Sequence, residues 1–92
     1  LPLSLELYHN NSIKLSKIIE LLTSNPAKIL KIDKGNLSIG NDADFCIVDI
    51  NKPWVVKKEK MISKSKNTCI EEKKLQGKVT NTFVKGVELF KL

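Results

Sequence analysis

The 92-residue sequence predicts an α+β chain in which helices come first and antiparallel strands follow. Three observations carry this expectation. Leu15, Ile18, Ile19 and Leu22 fall at i, i+3, i+4 and i+7, the spacing of one helix face. Leu75, Gly77, Val79, Asn81 and Phe83 alternate in one phase, the period of a strand. Between these regions, Lys34 to Asp49 (KGNLSIGNDADFCIVD) carries two glycines, an acidic turn and an apolar run, and marks the change from one regime to the other.

In chain order, Leu1 to Tyr8 has leucines at 1, 3, 5 and 7. Period-two counting alone would make it a strand. Pro2 suits a first helical turn and Leu3–Leu7 is an i, i+4 pair, so a helix is expected. His9 to Ser12 reads as a polar loop with a solvated histidine. Leu15 to Leu22 is an amphipathic helix, with Leu21 widening its apolar face and Glu20 free to pair with Lys17 or Lys28. Thr23-Ser24-Asn25-Pro26 ends that helix and opens another, with Ser24 or Asn25 as cap and Pro26 at its first position. This third helix, through Ala27, Ile29 and Leu30, stops before Gly35.

Gly35 and Gly40 stand where reversals call for positive φ or close backbone approach. Leu37 and Ile39 alternate with Asn36 and Ser38, which predicts a short half-buried strand. Asp42 and Asp44 flank Ala43 in a turn whose carboxylates bond nearby N–H groups. Phe45, Ile47, Val48 and Ile50 then predict a buried strand, and Asn51-Lys52-Pro53 a turn. Trp54-Val55-Val56 is a short strand in which the indole packs and finds one partner for its N–H. Lys57 to Met61 suits one helical turn, and Ser63 to Thr68 a polar loop or edge strand. The alternating segment from Leu75 returns through a tight Lys85-Gly86 hairpin to a last strand ending near Phe90. So few strands leave the sheet without a second layer. That layer is expected from polypeptide before Leu1 or from another copy.

Composition narrows the function. The formal charge is +6, yet all 16 basic residues are Lys. Bidentate base reading and aromatic stacking are mostly arginine chemistry, and the lysines are scattered, so they read as solvated surface. A lysine-rich RNA-binding module is the last-ranked reading, and neither nucleic acid nor membrane is expected as partner. No apolar run approaches the ~20 residues of a membrane span, and the start lacks a signal-peptide layout. The cytoplasm, with reduced thiols, is the expected compartment. Cys46 should pack as a small hydrophobe, and no C-x-x-C spacing joins it to Cys69. The chain begins at Leu1 inside an apolar pattern, which suggests a piece of something longer.

The search for chemistry is negative. His9 is the only histidine, and there is no H-x-H, P-loop or G-x-S-x-G pattern. Asp42, Asp44 and Asp49 would spread along an extended strand rather than pair for acid–base work. The Asp42–Asp44 turn lacks the further ligands and closing Glu of a calcium loop. Ser63 to Thr68 lacks the glycines that let backbone N–H groups cradle a phosphate.

Leu21-Leu22-Thr23-Ser24-Asn25-Pro26-Ala27-Lys28-Ile29-Leu30 resembles the helix pair that closes the barrel of cyclic amidohydrolases. Gly35-x-Leu37-x-x-Gly40-x-Asp42-Ala43-Asp44 is similar to the turn-strand signature that follows it in that superfamily. Trp54-x-Val56, Ser63-Lys64-Ser65-Lys66-Asn67-Thr68 and Gly77-Lys78-Val79-x-x-Thr82-Phe83-Val84-x-Gly86 narrow the resemblance to the C-terminal end of a bacterial-type dihydroorotase. Allantoinases and dihydropyrimidinases share much of this pattern. Cys69-Ile70-Glu71-Glu72 departs from it, where the family continues with Pro, an aromatic and Gly. Lys14 also departs, at a position where the family places a capping Ser; Ser12 or solvent must serve that helix start.

The resemblance implies residues 1–31 as terminal helices of a (β/α)₈ barrel and residues 32–92 as the C-terminal half of a small composite β-sandwich. It implies a parent enzyme that interconverts carbamoyl aspartate and dihydroorotate in pyrimidine synthesis through zinc-activated water. The family's metal ligands lie upstream of the region matching Leu1. Residues 1–92 are therefore expected to carry no catalytic, cofactor-binding or metal residue and to bind no zinc themselves. The implied partners are the missing N-terminal part of the chain, a small-molecule substrate in the parent, and a second copy or a carbamoyltransferase. The alternatives are a piece of an allantoinase or dihydropyrimidinase, or of a non-catalytic dihydroorotase-like subunit that supports a carbamoyltransferase.

Overall fold

The structure, a computed structural model, describes all residues 1–92. Three helices, α1 (Pro2–His9), α2 (Leu15–Leu22) and α3 (Ser24–Leu30), precede three strands, β1 (Phe45–Val55), β2 (Lys74–Val84) and β3 (Val87–Lys91). A single 3₁₀ turn, Lys58–Lys60, follows β1, where one helical turn was expected. The strands form one antiparallel sheet in the order β1-β2-β3. Helices first and antiparallel strands second is the predicted class.

Helix α1 begins on Pro2, whose missing N–H would have had no partner in the first turn. Its Leu5 is fully buried and meets Gly77 of β2, so the helix is seated on the sheet through one leucine in one glycine notch. His9 is the last residue of this helix rather than part of a solvated loop. It is half-buried and lies against Tyr8, with ring centroids 5.2 Å apart. The helix stops where Asn11 takes φ +63° and the Ser12 and Ile13 N–H groups turn back to the Leu7 carbonyl.

Helix α2 buries Ile18 and leaves Ile19, Leu21 and Leu22 largely exposed. No side chain caps it, so Ser12 does not serve; the Ser12 N–H instead donates to Asn10 Oδ1. Glu20 pairs with Lys17, 3.9 Å away. At the α2–α3 corner the expected cap gives way to another arrangement. Thr23 is the N-cap residue but its side chain makes no capping bond to α3, and Pro26 sits at the third helical position. The Thr23 hydroxyl donates back to the Ile19 carbonyl at 2.6 Å and the Ser24 hydroxyl to Glu20 at 3.5 Å. Both therefore satisfy the last carbonyls of α2 and not the first amides of α3. Pro26 is tolerated because a third-position amide has no intrahelical acceptor either.

Several strand expectations change. Residues 36–39 form no strand, and Leu37 and Ile39 face solvent. Asn51-Lys52-Pro53 is not a turn, because β1 runs through it. Asp49 pairs with Lys78 and Pro53 with Gln76, so residues 50–52 face Gly77 alone and bulge. Pro53 can stand there because β1 is an edge strand, whose outer side needs no donor. A second irregularity pairs Ile47 with Asn81 but Val48 with Val79, leaving Thr80 extra on β2. Since Ile47 and Val48 point to opposite faces, so do their partners, and the single phase expected from Leu75 to Phe83 is split at Thr80.

β1 is also less buried than its composition suggests. Phe45 and Ile47 are exposed, Val48 and Ile50 half-buried, and Cys46 faces solvent instead of packing. The physical reason is cover: α1 is the one helix with extensive contact to the sheet, and it reaches β2 near Leu5 and Gly77. The buried apolar side chains are Leu5, Ile18, Ala27, Val56 and Leu75. The Lys85-Gly86 hairpin forms as expected, with φ +49° and +78° at its two loop residues, a type I′ geometry matched to strand twist. Phe45 and Phe83 stack across β1 and β2 with centroids 4.6 Å apart.

Candidate functional site

The densest polar constellation lies where the glycine-bracketed segment meets the hairpin. The Lys34 ammonium lies 2.8 Å from Asp44 Oδ2 and 3.2 Å from Asp42 Oδ2. Asp44 Oδ1 accepts the Lys85 N–H at 2.8 Å, and the Gly86 N–H donates to the Ala43 carbonyl at 3.0 Å. The structure thus brings Asp42 and Asp44 together, which extended-strand spacing did not foresee. Asp49 stays apart and accepts the N–H of Asn51 at 3.0 Å. Asp44 bonds a backbone amide forty-one positions away, not the nearby one expected.

Electrostatics follow from these contacts. Hydrogen bonds from the Lys34 ammonium and then from the Lys85 amide hold the Asp44 carboxyl below its ordinary range. The same two carboxylates, Asp44 foremost, raise Lys34. Asp44 is thus held as an anion against the Lys34 cation. Such a node fastens two segments together; it has no free base and no nucleophile to offer. Neither Lys34 nor Lys85 was legible as a member, because nothing in a linear sequence marks partners separated by a chain reversal.

Two clefts flank the sheet. One, about 500 Å³, is lined by Glu6, His9, Asn10, Pro53 and Lys74 among others. His9 Nε2 is enclosed and has no hydrogen-bond partner. The other, about 690 Å³, lies between Trp54 and the segment running from Lys60 to Ile70. Trp54 meets the expectation of packing: its N–H donates to the Gly77 carbonyl at 2.8 Å and Lys78 Nζ lies 4.6 Å from the ring centroid. The Ser63–Thr68 segment is loop, and hydroxyls within it accept the N–H groups of Asn67 and Ile70, so these amides are not free to cradle an anion.

The zinc implied by the resemblance does not fit these residues. No three His, Cys, Asp or Glu side chains converge. The lone imidazole has one nitrogen enclosed, and the Asp42–Asp44 carboxylate pair already faces an ammonium.

Comparison with known proteins follows the same lines. Residues 1–89 match the model of the Amidohydrolase family. A dihydroorotase of Aquifex aeolicus (strain VF5) is 45% identical over 99% of this chain, which corresponds to 22% of that protein. A dihydroorotase of Ehrlichia canis (strain Jake) is 44% identical over 94% of this chain and 19% of its own length. Among solved structures, the L-hydantoinase (dihydropyrimidinase) from Arthrobacter aurescens superposes with a TM-score of 0.91 over 99% of this chain and 21% of its own, at 26% identity. The chain therefore spans about a fifth of the length of the relatives it matches. With 89 of its 92 residues inside that match, the chain belongs to the amidohydrolase family.

Proposed function

We propose that residues 1–92 are the C-terminal unit of a dihydroorotase, the cyclic amidohydrolase that interconverts carbamoyl aspartate and dihydroorotate. The observation that carries this reading is 45% identity to a protein of that name over nearly the whole chain. In this reading residues 1–31 close the barrel and residues 32–92 supply half of a small β domain. The reacting centre and its zinc ligands stand on other polypeptide, and residues 1–92 act by packing. Zinc dependence, a place in pyrimidine synthesis and a cytoplasmic location come with the dihydroorotase likeness. No helix here is long and apolar enough to cross a membrane.

The test is turnover by the intact protein that carries these residues, offered dihydroorotate, allantoin and a dihydropyrimidine in parallel. Dihydroorotate should be preferred by roughly 100-fold or more in kcat/KM, as expected of a site that hydrogen-bonds a distinguishing group. Preference for the dihydropyrimidine would favour the second reading, to which the structural likeness to a hydantoinase lends weight. Absence of turnover on all three would point to a non-catalytic subunit that supports a partner enzyme such as a carbamoyltransferase.

A further inference from the structure

The connection between β1 and β2 closes on itself at its base. The Val56 N–H donates to the Lys73 carbonyl at 3.0 Å, the Glu72 N–H donates to the Val56 carbonyl at 2.8 Å, and the Lys57 ammonium lies 2.6 Å from Glu72 Oε2. Glu72 takes φ +65° to complete the reversal. Within the loop the Lys66 ammonium donates to the Met61 carbonyl, and the Ser65 and Thr68 hydroxyls accept the N–H groups of Asn67 and Ile70. A loop closed and braced in this way keeps its own shape and stands off from β1. The space left beside Trp54 is the cleft of about 690 Å³, inside the range of roughly 300–1,000 Å³ that holds a small organic ligand.

The walls of this cleft share one chemical bias. Trp54, Val56, Met61 and Ile70 make them apolar, three lysines line them, and no Asp or Glu does. Lys57 is engaged by Glu72, whereas neither Lys60 nor Lys78 has a carboxylate partner in residues 1–92. Lys78 Nζ is held over the indole, 4.6 Å from its centroid. Apolar walls with two unpaired ammonium groups suit an anion that carries a hydrocarbon body. Two observations narrow the class. Lys78 lies over the indole, so an aromatic ring would have to displace it to stack, and an aliphatic body need not. The Asn67 and Ile70 amides are already bonded and no arginine is present, so a phosphate would lack the several donors it calls for, whereas a carboxylate needs fewer.

We infer that this cleft binds a small aliphatic monocarboxylate, its head met by Lys60 and Lys78 and its chain laid along Trp54, Val56, Met61 and Ile70. The site is built wholly from β1, the β1–β2 loop and β2. It stands apart from the reaction proposed above and does not depend on which cyclic amide the enzyme takes.

Octanoate is the probe, titrated calorimetrically into the intact protein that carries these residues, with 1-octanol and inorganic phosphate as comparisons. One saturable octanoate site is expected. The neutral alcohol, which lacks the charge, and phosphate, which lacks the chain, should each bind more weakly by about tenfold or more. Lys60→Gln and Lys78→Gln should each weaken octanoate by about three- to fivefold, the worth of a partly solvated ion pair. Lys64→Gln, on the same loop but outside the cleft, should leave its affinity unchanged. A diazirine-bearing octanoate, photolysed on the unsubstituted protein and mapped by mass spectrometry, should leave adducts within residues 54–78 that excess octanoate abolishes. The mapping decides the matter even where a lysine variant fails to fold. No saturable binding, 1-octanol binding as tightly as octanoate, affinity unmoved in both cleft variants, or adducts confined to other residues would each overturn the proposal.

Discussion

Gly77 meets three residues of two neighbouring elements, Leu5 of α1 and Ile50 and Trp54 of β1. Its φ of +109° is a conformation side-chain-bearing residues rarely take, and a Cβ there would collide with Leu5 Cδ1 and approach the Ile50 carbonyl oxygen at 3.3 Å. Its own carbonyl accepts the Trp54 N–H at 2.8 Å. Leu5 is fully buried and has nowhere to retreat, so Gly77→Ala should lift α1 off the sheet. The expected loss is about 1–3 kcal/mol from overpacking, and Leu5→Ala should cost about 2–5 kcal/mol from the cavity it leaves. The double variant should lose less than the sum, because removing Leu5 vacates the space the new methyl needs. Urea titration of the intact protein reads all three values; strict additivity would show that leucine and glycine do not meet. The sequence marked Gly77 as a member of an alternating phase and of a family motif, with no sign of what it touches. That it receives a helix is a matter of which segment folds over it.

The element where electrostatics matter most is the clasp between residues 34–44 and the β2–β3 hairpin. Because Asp44 is held below its ordinary pKa in the folded protein, its contribution is complete above the unfolded value of about 3.9 and is lost as pH falls through the lower folded value. Lys34 behaves in the opposite sense: being raised, it contributes below about 10.4, and that contribution is lost as pH rises through its higher folded value. Asp44→Asn should therefore lower stability at neutral pH, with the gap to the parent protein closing on acidification below about pH 4. Thermal midpoints measured across pH would check this, and a gap unchanged at pH 2.5 would refute it. Elements near this clasp were partly legible. Helix α2 and the Lys85-Gly86 hairpin follow from local periodicity and turn chemistry, and both form. The Leu37–Ile39 strand did not form, because alternation of side chains is necessary for a strand but a hydrogen-bonded neighbour is also required, and none lies beside it. Pro53 misled in the other direction: it reads as a turn unless its place on an edge is known.

For the molecule as a whole, the decisive quantity is how little apolar surface it hides. Leu5, Ile18, Ala27, Val56 and Leu75 are its buried apolar side chains, whereas Ile19, Ile29, Leu30, Ile47 and Leu89 are among those in water. A chain of this size can fold alone only with a well-covered core. Residues 1–92 produced in isolation should bind 1-anilinonaphthalene-8-sulfonate and melt without a sharp transition, the behaviour of a loosely packed state. A cooperative two-state transition without dye binding would show that the five-residue core suffices.

Helix periodicity, the glycine reversals, the tight hairpin and the family likeness were all written in the order of the residues, because each depends on neighbours within a few positions. The contacts of Leu5 with Gly77 and of Lys34 with Asp42 and Asp44, the bulges at residues 50–52 and at Thr80, and the exposure of β1 were not. These depend on which distant segment arrives beside another and on which face is left without a neighbour. Burial and pairing are properties of the assembled surface, so no local pattern of residues could have specified them.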